Sequence, residues 1–172
     1  MSKLKVMSRR STVTVRDQPV APVTTATGPM TVHGQLFTVD TQERIELVDL
    51  TDRVMALVCE QPVREGVATL FSMHTTCTLF INEFQDALLS DMKAFLESVV
   101  DGETAWMHND PEHSECSRAN ADSHLRAMLL GHTLTLQVTG GEVVLGQWQR
   151  ILLAELDGAR SRTLRLQVVG IV

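Results

Sequence analysis

The chain has 172 residues, 44% of them hydrophobic and 21% charged, with a net charge of −6. That composition supplies one domain core and gives no case for global disorder. The acidic balance argues against nucleic acid, whose binders neutralise phosphates with Lys and Arg.

No apolar run reaches the roughly 20 residues of a bilayer span, so a membrane partner is not expected. The start of the chain lacks the apolar core of a secretory signal. Cys59, Cys77 and Cys116 are odd in number and widely spaced, which does not frame disulfides, so a cytoplasmic setting is expected.

Residues 1–30 read as a basic, Pro- and Thr-containing arm. Lys3, Lys5, Arg9, Arg10 and Arg16 come before any acid, and Pro19, Pro22, Gly28 and Pro29 follow. Its helical amphipathicity is poor for an organelle-targeting peptide. Residues 31–172 then form one domain.

Alternation predicts strands over 31–39 and 44–48, around a turn at Asp40-Thr41-Gln42. Thr51 or Asp52 caps a helix running through Val54, Leu57 and Val58 toward Gln61, where Pro62 ends it. A single extended stretch follows over 67–81. Phe84, Leu88, Met92, Phe95, Leu96 and Val99 recur at helical spacing and give the best helix in the chain.

Residues 101–118 form a long polar loop, of the kind that is often functional. A helix over 119–130 closes at Gly131. Strands over 133–138, 143–145, 147–156 and 163–169, with a Gly140-Gly141 turn, predict a C-terminal meander. The order is α+β: a mostly antiparallel β-sandwich or sheet with packed helices.

Polar and metal-capable residues cluster in three places. His74-Thr75-Thr76 lies on a strand, with Asn82-Glu83 at the following strand-to-helix junction. His108 lies in the long loop with His113 and Cys116 behind it. Asn120 and His124 stand four apart, on one helix face. Three imidazoles and an open position are how catalytic zinc sites are built, and His74, His108 and His124 come from three different elements. A divalent metal, zinc first, is therefore expected on those three; no organic cofactor is implied. Each residue also has a plainer reading: Asn82-Glu83 as a helix start, Trp148 as core, and His108, His113 and Cys116 as a structural zinc site.

Five motifs in order then resemble one family. They are His74-Thr75-Thr76 with Asn82-Glu83, Trp106-Met107-His108, Asn120-Ala121-Asp122-Ser123-His124-Leu125, Gly146-Gln147-Trp148-Gln149, and Glu155-Leu156-Asp157-Gly158-Ala159-Arg160-Ser161-Arg162. Together they resemble the YjbQ-like family, known for a secondary thiamine-phosphate synthase activity. Four places depart from its usual pattern: Cys77, Gln85-Asp86-Ala87, Trp106 and Gln147. The changes at Cys77 and Gln147 bear on the shape of the pocket.

The resemblance implies a homotrimer with a pocket near the subunit boundary, and it puts the family's recurrent histidines on His74, His108 and His124. The implied reaction joins a pyrimidine methyl diphosphate to a thiazole phosphate and releases pyrophosphate. Glu83, Asn82 and Asn120 would be catalytic, Glu83 as a base or an orienting carboxylate. Thr75, Thr76, Trp148, Gln149, Arg160 and Arg162 would bind the small phosphorylated metabolite. Two alternatives keep the same pocket: metal-dependent phosphoester hydrolysis, and a non-catalytic trimer that binds a metabolite or a metal.

Overall fold

The computed structural model describes residues 25–172. The 1–30 arm lies almost wholly outside them. The described chain is α+β, with eight strands in two antiparallel sheets and three α-helices. The first sheet has the order β1-β8-β3-β5-β6 and the second β2-β7-β4.

The two longest strands, β1 (Met30–Asp40) and β8 (Ser161–Ile171), pair along their full length. β3 (Glu65–Ser72) lies on the other side of β8, followed by β5 (Thr133–Thr139) and β6 (Glu142–Val143). The β5–β6 hairpin turns on Gly140 and Gly141, at φ 63 and 85. A two-residue turn with both φ positive follows the twist of a hairpin, and glycine adopts it without steric cost. In the second sheet β7 (Arg150–Glu155) runs between β2 (Glu46–Asp49) and β4 (Cys77–Asn82).

The main core lies between the sheets. Phe37, Leu70, Leu136, Leu164 and Leu166 meet Leu79, Ile151 and Leu153, and α1 (Thr51–Cys59) adds Val54, Met55 and Val58. The far side of the small sheet carries a second cluster, in which Leu47, Ala154 and Leu156 pack with Leu96 of α2 (Asp86–Val99) and Ala127 of α3 (Ala121–Leu130). β7 is therefore buried on both faces, which explains its near-continuous apolar run. Arg126 ties the two helices, its guanidinium donating to the carbonyls of Leu96 in the last turn of α2 and of Val100 just beyond it.

Several expectations are corrected. The single stretch expected over 67–81 is two strands in different sheets, separated by a crossover at 73–76. The C-terminal strands do not form one meander, because β7 joins the small sheet while β5, β6 and β8 build the large one. β7 starts at Arg150, so Trp148 and Gln149 lie in the turn before it. The cap of α1 comes from neither predicted residue: Asp49 accepts the Thr51 amide, and the Thr51 hydroxyl accepts the Ile151 amide instead. On α2, Gln85 caps through the Leu88 amide, and only Leu96 of the expected apolar face is fully buried, Phe95 and Val99 being exposed. No described helix is long and apolar enough to cross a membrane.

Candidate functional site

Where the two sheets part, the 73–76 crossover, the end of the long loop, the start of α3 and the first residues of β8 enclose a cleft of about 360 Å³. His74, Thr75 and Thr76 enter it from the crossover, His108, Cys116 and Arg118 from the loop, Asn120 and His124 from α3, and Arg162 from β8. Thus the three imidazoles singled out from the sequence line one cleft.

The floor is an ion pair buried between the sheets. Arg162 grips Glu155 with two guanidinium nitrogens, and its Nη2 also donates to the Thr76 hydroxyl at 3.0 Å. Glu155 has no solvent exposure and accepts in addition from the Leu156 and Asp157 amides and the Thr41 hydroxyl. Every carboxylate oxygen is satisfied, as a buried charge requires. Arg162 faces the cleft with its charge already compensated.

His74 Nε2 accepts the Thr163 backbone amide at 2.8 Å. In the neutral ring the proton then sits on Nδ1. Burial lowers the His74 pKa, Arg162 pushes the same way, and Glu155 opposes them.

His108 stands on a single 3₁₀ turn, Met107–Asn109. The neighbouring Asn109 side chain accepts the Ala121 amide at 2.9 Å, which fastens that turn to the first turn of α3. The result is an edge-to-face pair of His108 and His124, with ring centres 5.0 Å apart. His108 Nε2 is buried without a hydrogen-bond partner. Burial also holds the His124 pKa below the ordinary imidazole value; His108 and Arg118 add to this, while Asp157 and Asp122 pull it up.

Asn120 is buried and donates to Asp157 at 2.8 Å. Asp157 also meets Arg118 at 3.7 Å and Arg160 at 3.3 Å. Arg160 further donates to the Asp157 carbonyl, and it does not line the cleft. The half-exposed Arg118 is left as the cleft's most available cation. Sequence reasoning missed it, although it is the only Lys or Arg between 101 and 118.

Other expected site residues sit elsewhere. Asn82 and Glu83 lie at the opposite end of β4 from Thr76, and a strand of that length puts roughly 20 Å between them. Asn82 pairs in register with Arg150, so Trp148 and Gln149 share that far end. Gln149 accepts the Gly146 amide and Trp148 is half exposed. The zinc alternative on His108, His113 and Cys116 is not assembled, since His113 pairs with Asp110 at 3.0 Å. Among the described residues no three His, Cys, Asp or Glu side chains are grouped to hold a metal ion. The expected set of His74, His108 and His124 therefore shares a cleft without being gathered as three ligands, the His74 Nε2 being taken by the Thr163 amide.

The spacing of the His108–His124 pair matches that of two imidazoles on one ion. Two imidazoles on one tetrahedral ion, with bonds of about 2.0–2.1 Å, hold their ring centres roughly 5 Å apart. The orphaned His108 Nε2 also has a lone pair to give in its neutral form.

A family model described as "UPF0047 protein YjbQ-like" matches residues 35–171. A UPF0047 protein of Methanothermobacter thermautotrophicus is 41% identical over 82% of this chain and 94% of its own length. The UPF0047 protein YugU of Bacillus subtilis is 31% identical over 77% of this chain and 96% of its own. Among solved structures, a YbjQ-like protein of unknown function from Sulfolobus solfataricus superposes with a TM-score of 0.77 at 31% identity, covering 83% of this chain and 99% of that one.

Proposed function

The chain belongs to the YjbQ-like UPF0047 family, and from that starting point we propose that it is an enzyme acting on a small phosphorylated metabolite bound in the His74–His108–His124 cleft. One observation carries the reading: the cleft joins an available cation, Arg118, to imidazoles that burial keeps neutral. Perturbed titratable groups converging in a concave site are a recurrent feature of active sites.

The reaction we favour is thiamine-phosphate formation. The thiazole nitrogen forms a bond to the pyrimidine methylene carbon as the carbon–oxygen bond to diphosphate breaks, and the electron pair leaves with the diphosphate. Stabilising that growing negative charge is the main catalytic task. Arg118, the Nδ1–H of His74 and the Thr75 hydroxyl are the donors for it. The attacking nitrogen carries no proton, so a base is not required at the joining step and the distance to Glu83 does not count against it. A divalent ion, zinc first, would be held by His108 and His124 and would supply further neutralisation of the phosphates. Asn120, fixed by Asp157, orients the loop side of the cleft.

The test is an assay with both substrates and added Zn²⁺, Mg²⁺ or Mn²⁺, reading pyrophosphate. Turnover no higher than that of a His108→Ala, His124→Ala double variant refutes it. The neutral His124 favours one other reading, phosphoester hydrolysis with that imidazole as base to water. Orthophosphate released from simple phosphoesters would establish hydrolysis in place of synthesis.

We further propose that the protein works in the cytoplasm as a homotrimer. Support for self-association comes from Glu83, Trp148 and Gln149, which the family resemblance assigns to the site and which lie far from the cleft of their own chain. A neighbouring copy would bring them to it. A solution mass near that of one chain refutes this.

A further inference from the structure

In its second half β1 turns Phe37 and Val39 into the core, as a strand of a sandwich should. Nearer its start the polarity reverses. Thr31, His33 and Gln35 take the inward positions, while Val32 and Leu36 stand exposed on the outer face. Polar groups on an inner face cost stability unless something pairs with them.

Helix α1 runs along this face. Arg53 in its first turn donates to the Thr38 carbonyl at 2.6 Å and lies over the Phe37 ring. Gln61, just past its end, reaches the level of His33 and Gln35. A cavity of about 130 Å³ remains there, lined by the apolar Leu166 and Val168 of β8 and by His33, Gly34, Gln35 and Gln61. The stretch of β8 from Arg162 to Val168 puts roughly 20 Å between Val168 and the arginine of the polar cleft. The two sites are therefore separate.

The polar groups of this cavity are unevenly satisfied. His33 Nε2 shares a hydrogen bond with the Thr31 hydroxyl at 3.0 Å. Gln61 Nε2 donates to the Leu57 carbonyl at 3.1 Å, which leaves Gln61 Oε1 as an acceptor. Gln35 Nε2 is buried without a hydrogen-bond partner. Such a donor is costly to leave unmade, so it calls for a guest that accepts from it. Among the described residues no Asp, Glu, Lys or Arg lines the cavity, and an ionised guest would be buried without a counter-charge. A cavity of about 150 Å³ takes a benzene-sized molecule, so a single small ring is the upper limit here.

We propose that this cavity is a second ligand site, for a small cyclic amide whose carbonyl accepts from Gln35 Nε2 and whose N–H donates to Gln61 Oε1. A cyclic amide carries both groups on one edge and apolar carbon on the other. That division matches two carboxamides set beside Leu166 and Val168. The ligand is distinct from the substrate of the polar cleft, and the site stands whether or not that cleft is catalytic.

Ligand-observed NMR titration of the full chain with 2-pyrrolidinone tests the site, with N-methyl-2-pyrrolidinone as the matched probe that lacks the N–H. The first should bind with a Kd of about a millimolar, as suits so few atoms, and the second about tenfold more weakly. Gln35→Leu should weaken 2-pyrrolidinone about tenfold. Gln61→Met should do the same, and it serves if the first variant does not fold. Equal binding of the two lactams overturns the proposal, as does binding that both variants leave unchanged. Neither lactam binding at about 50 mM would mean that the cavity holds water alone, and overturns it too.

Discussion

At the scale of residues, the two arginines at the cleft divide holding from binding. Arg162 and Glu155 are both buried and satisfy each other. Removing one partner strands a charge away from water, so Arg162→Met should lower stability by about 3–5 kcal/mol, read by denaturant unfolding. Arg118 is half exposed, and its 3.7 Å contact with Asp157 is loose. Arg118→Ala should change stability by no more than about 0.5 kcal/mol, yet weaken phosphate binding about tenfold. A large stability loss at Arg118 would show that its role is structural.

The histidines make a second prediction. His74 and His124 both have pKa values below the ordinary imidazole value, burial being the main cause for each. Arg162 and Glu155 face His74, while His108, Arg118, Asp157 and Asp122 face His124. Between the lowered folded value and the unfolded value near 6.5, the unfolded chain holds more protons than the folded one. Their contribution to stability is therefore whole above about pH 6.5 and declines as pH falls through the folded values. The melting temperature should drop from about pH 7.5 to about pH 5.5, and His124→Gln should shallow that slope. An unchanged slope in the variant would contradict the assignment.

At the scale of elements, the link from the 3₁₀ turn to α3 decides whether the histidines meet. Asn109 supplies its acceptor for the Ala121 amide from outside the helix, in the manner of a cap. Asn109→Ala should cost about 1 kcal/mol of stability. It should cost ligand affinity more than that, because His108 loses its tether, while Asn109→Asp should restore both. Equal losses in affinity and stability would mean that the turn is held by other contacts.

The same elements show what a sequence can and cannot convey. Helices, hairpin and antiparallel strands follow from period and turn chemistry, and the Gly140-Gly141 turn was legible from two residues. The crossover at 73–76 was not, because the β-branched Thr75 and Thr76 prolong the strand pattern across the point where the chain changes sheets. Local period reports which face a residue takes, not which sheet receives it. For the site, motif order identified residues that do converge, including His74, His108, Asn120 and His124. It could not separate them from Glu83, Trp148 and Gln149, since the two ends of one strand are only a few positions apart in sequence.

At the scale of the whole molecule, that separation turns a puzzle of geometry into a test of assembly. The cleft and the far end of the small sheet cannot serve the same ligand within one chain if roughly 20 Å of strand divides them. In a closed head-to-tail ring, each cleft would instead face the far end of the next copy. Two variants would then be inactive for different reasons: His124→Ala for its cleft and Trp148→Ala for its far end. Unfolded together and refolded in equal amounts, they should regain about a quarter of wild-type activity, the chance that a given interface draws both intact halves. Each variant refolded alone should regain none. No recovery on mixing, with both variants folded and of threefold mass, would confine the site to a single chain and leave Trp148 without a part in the reaction.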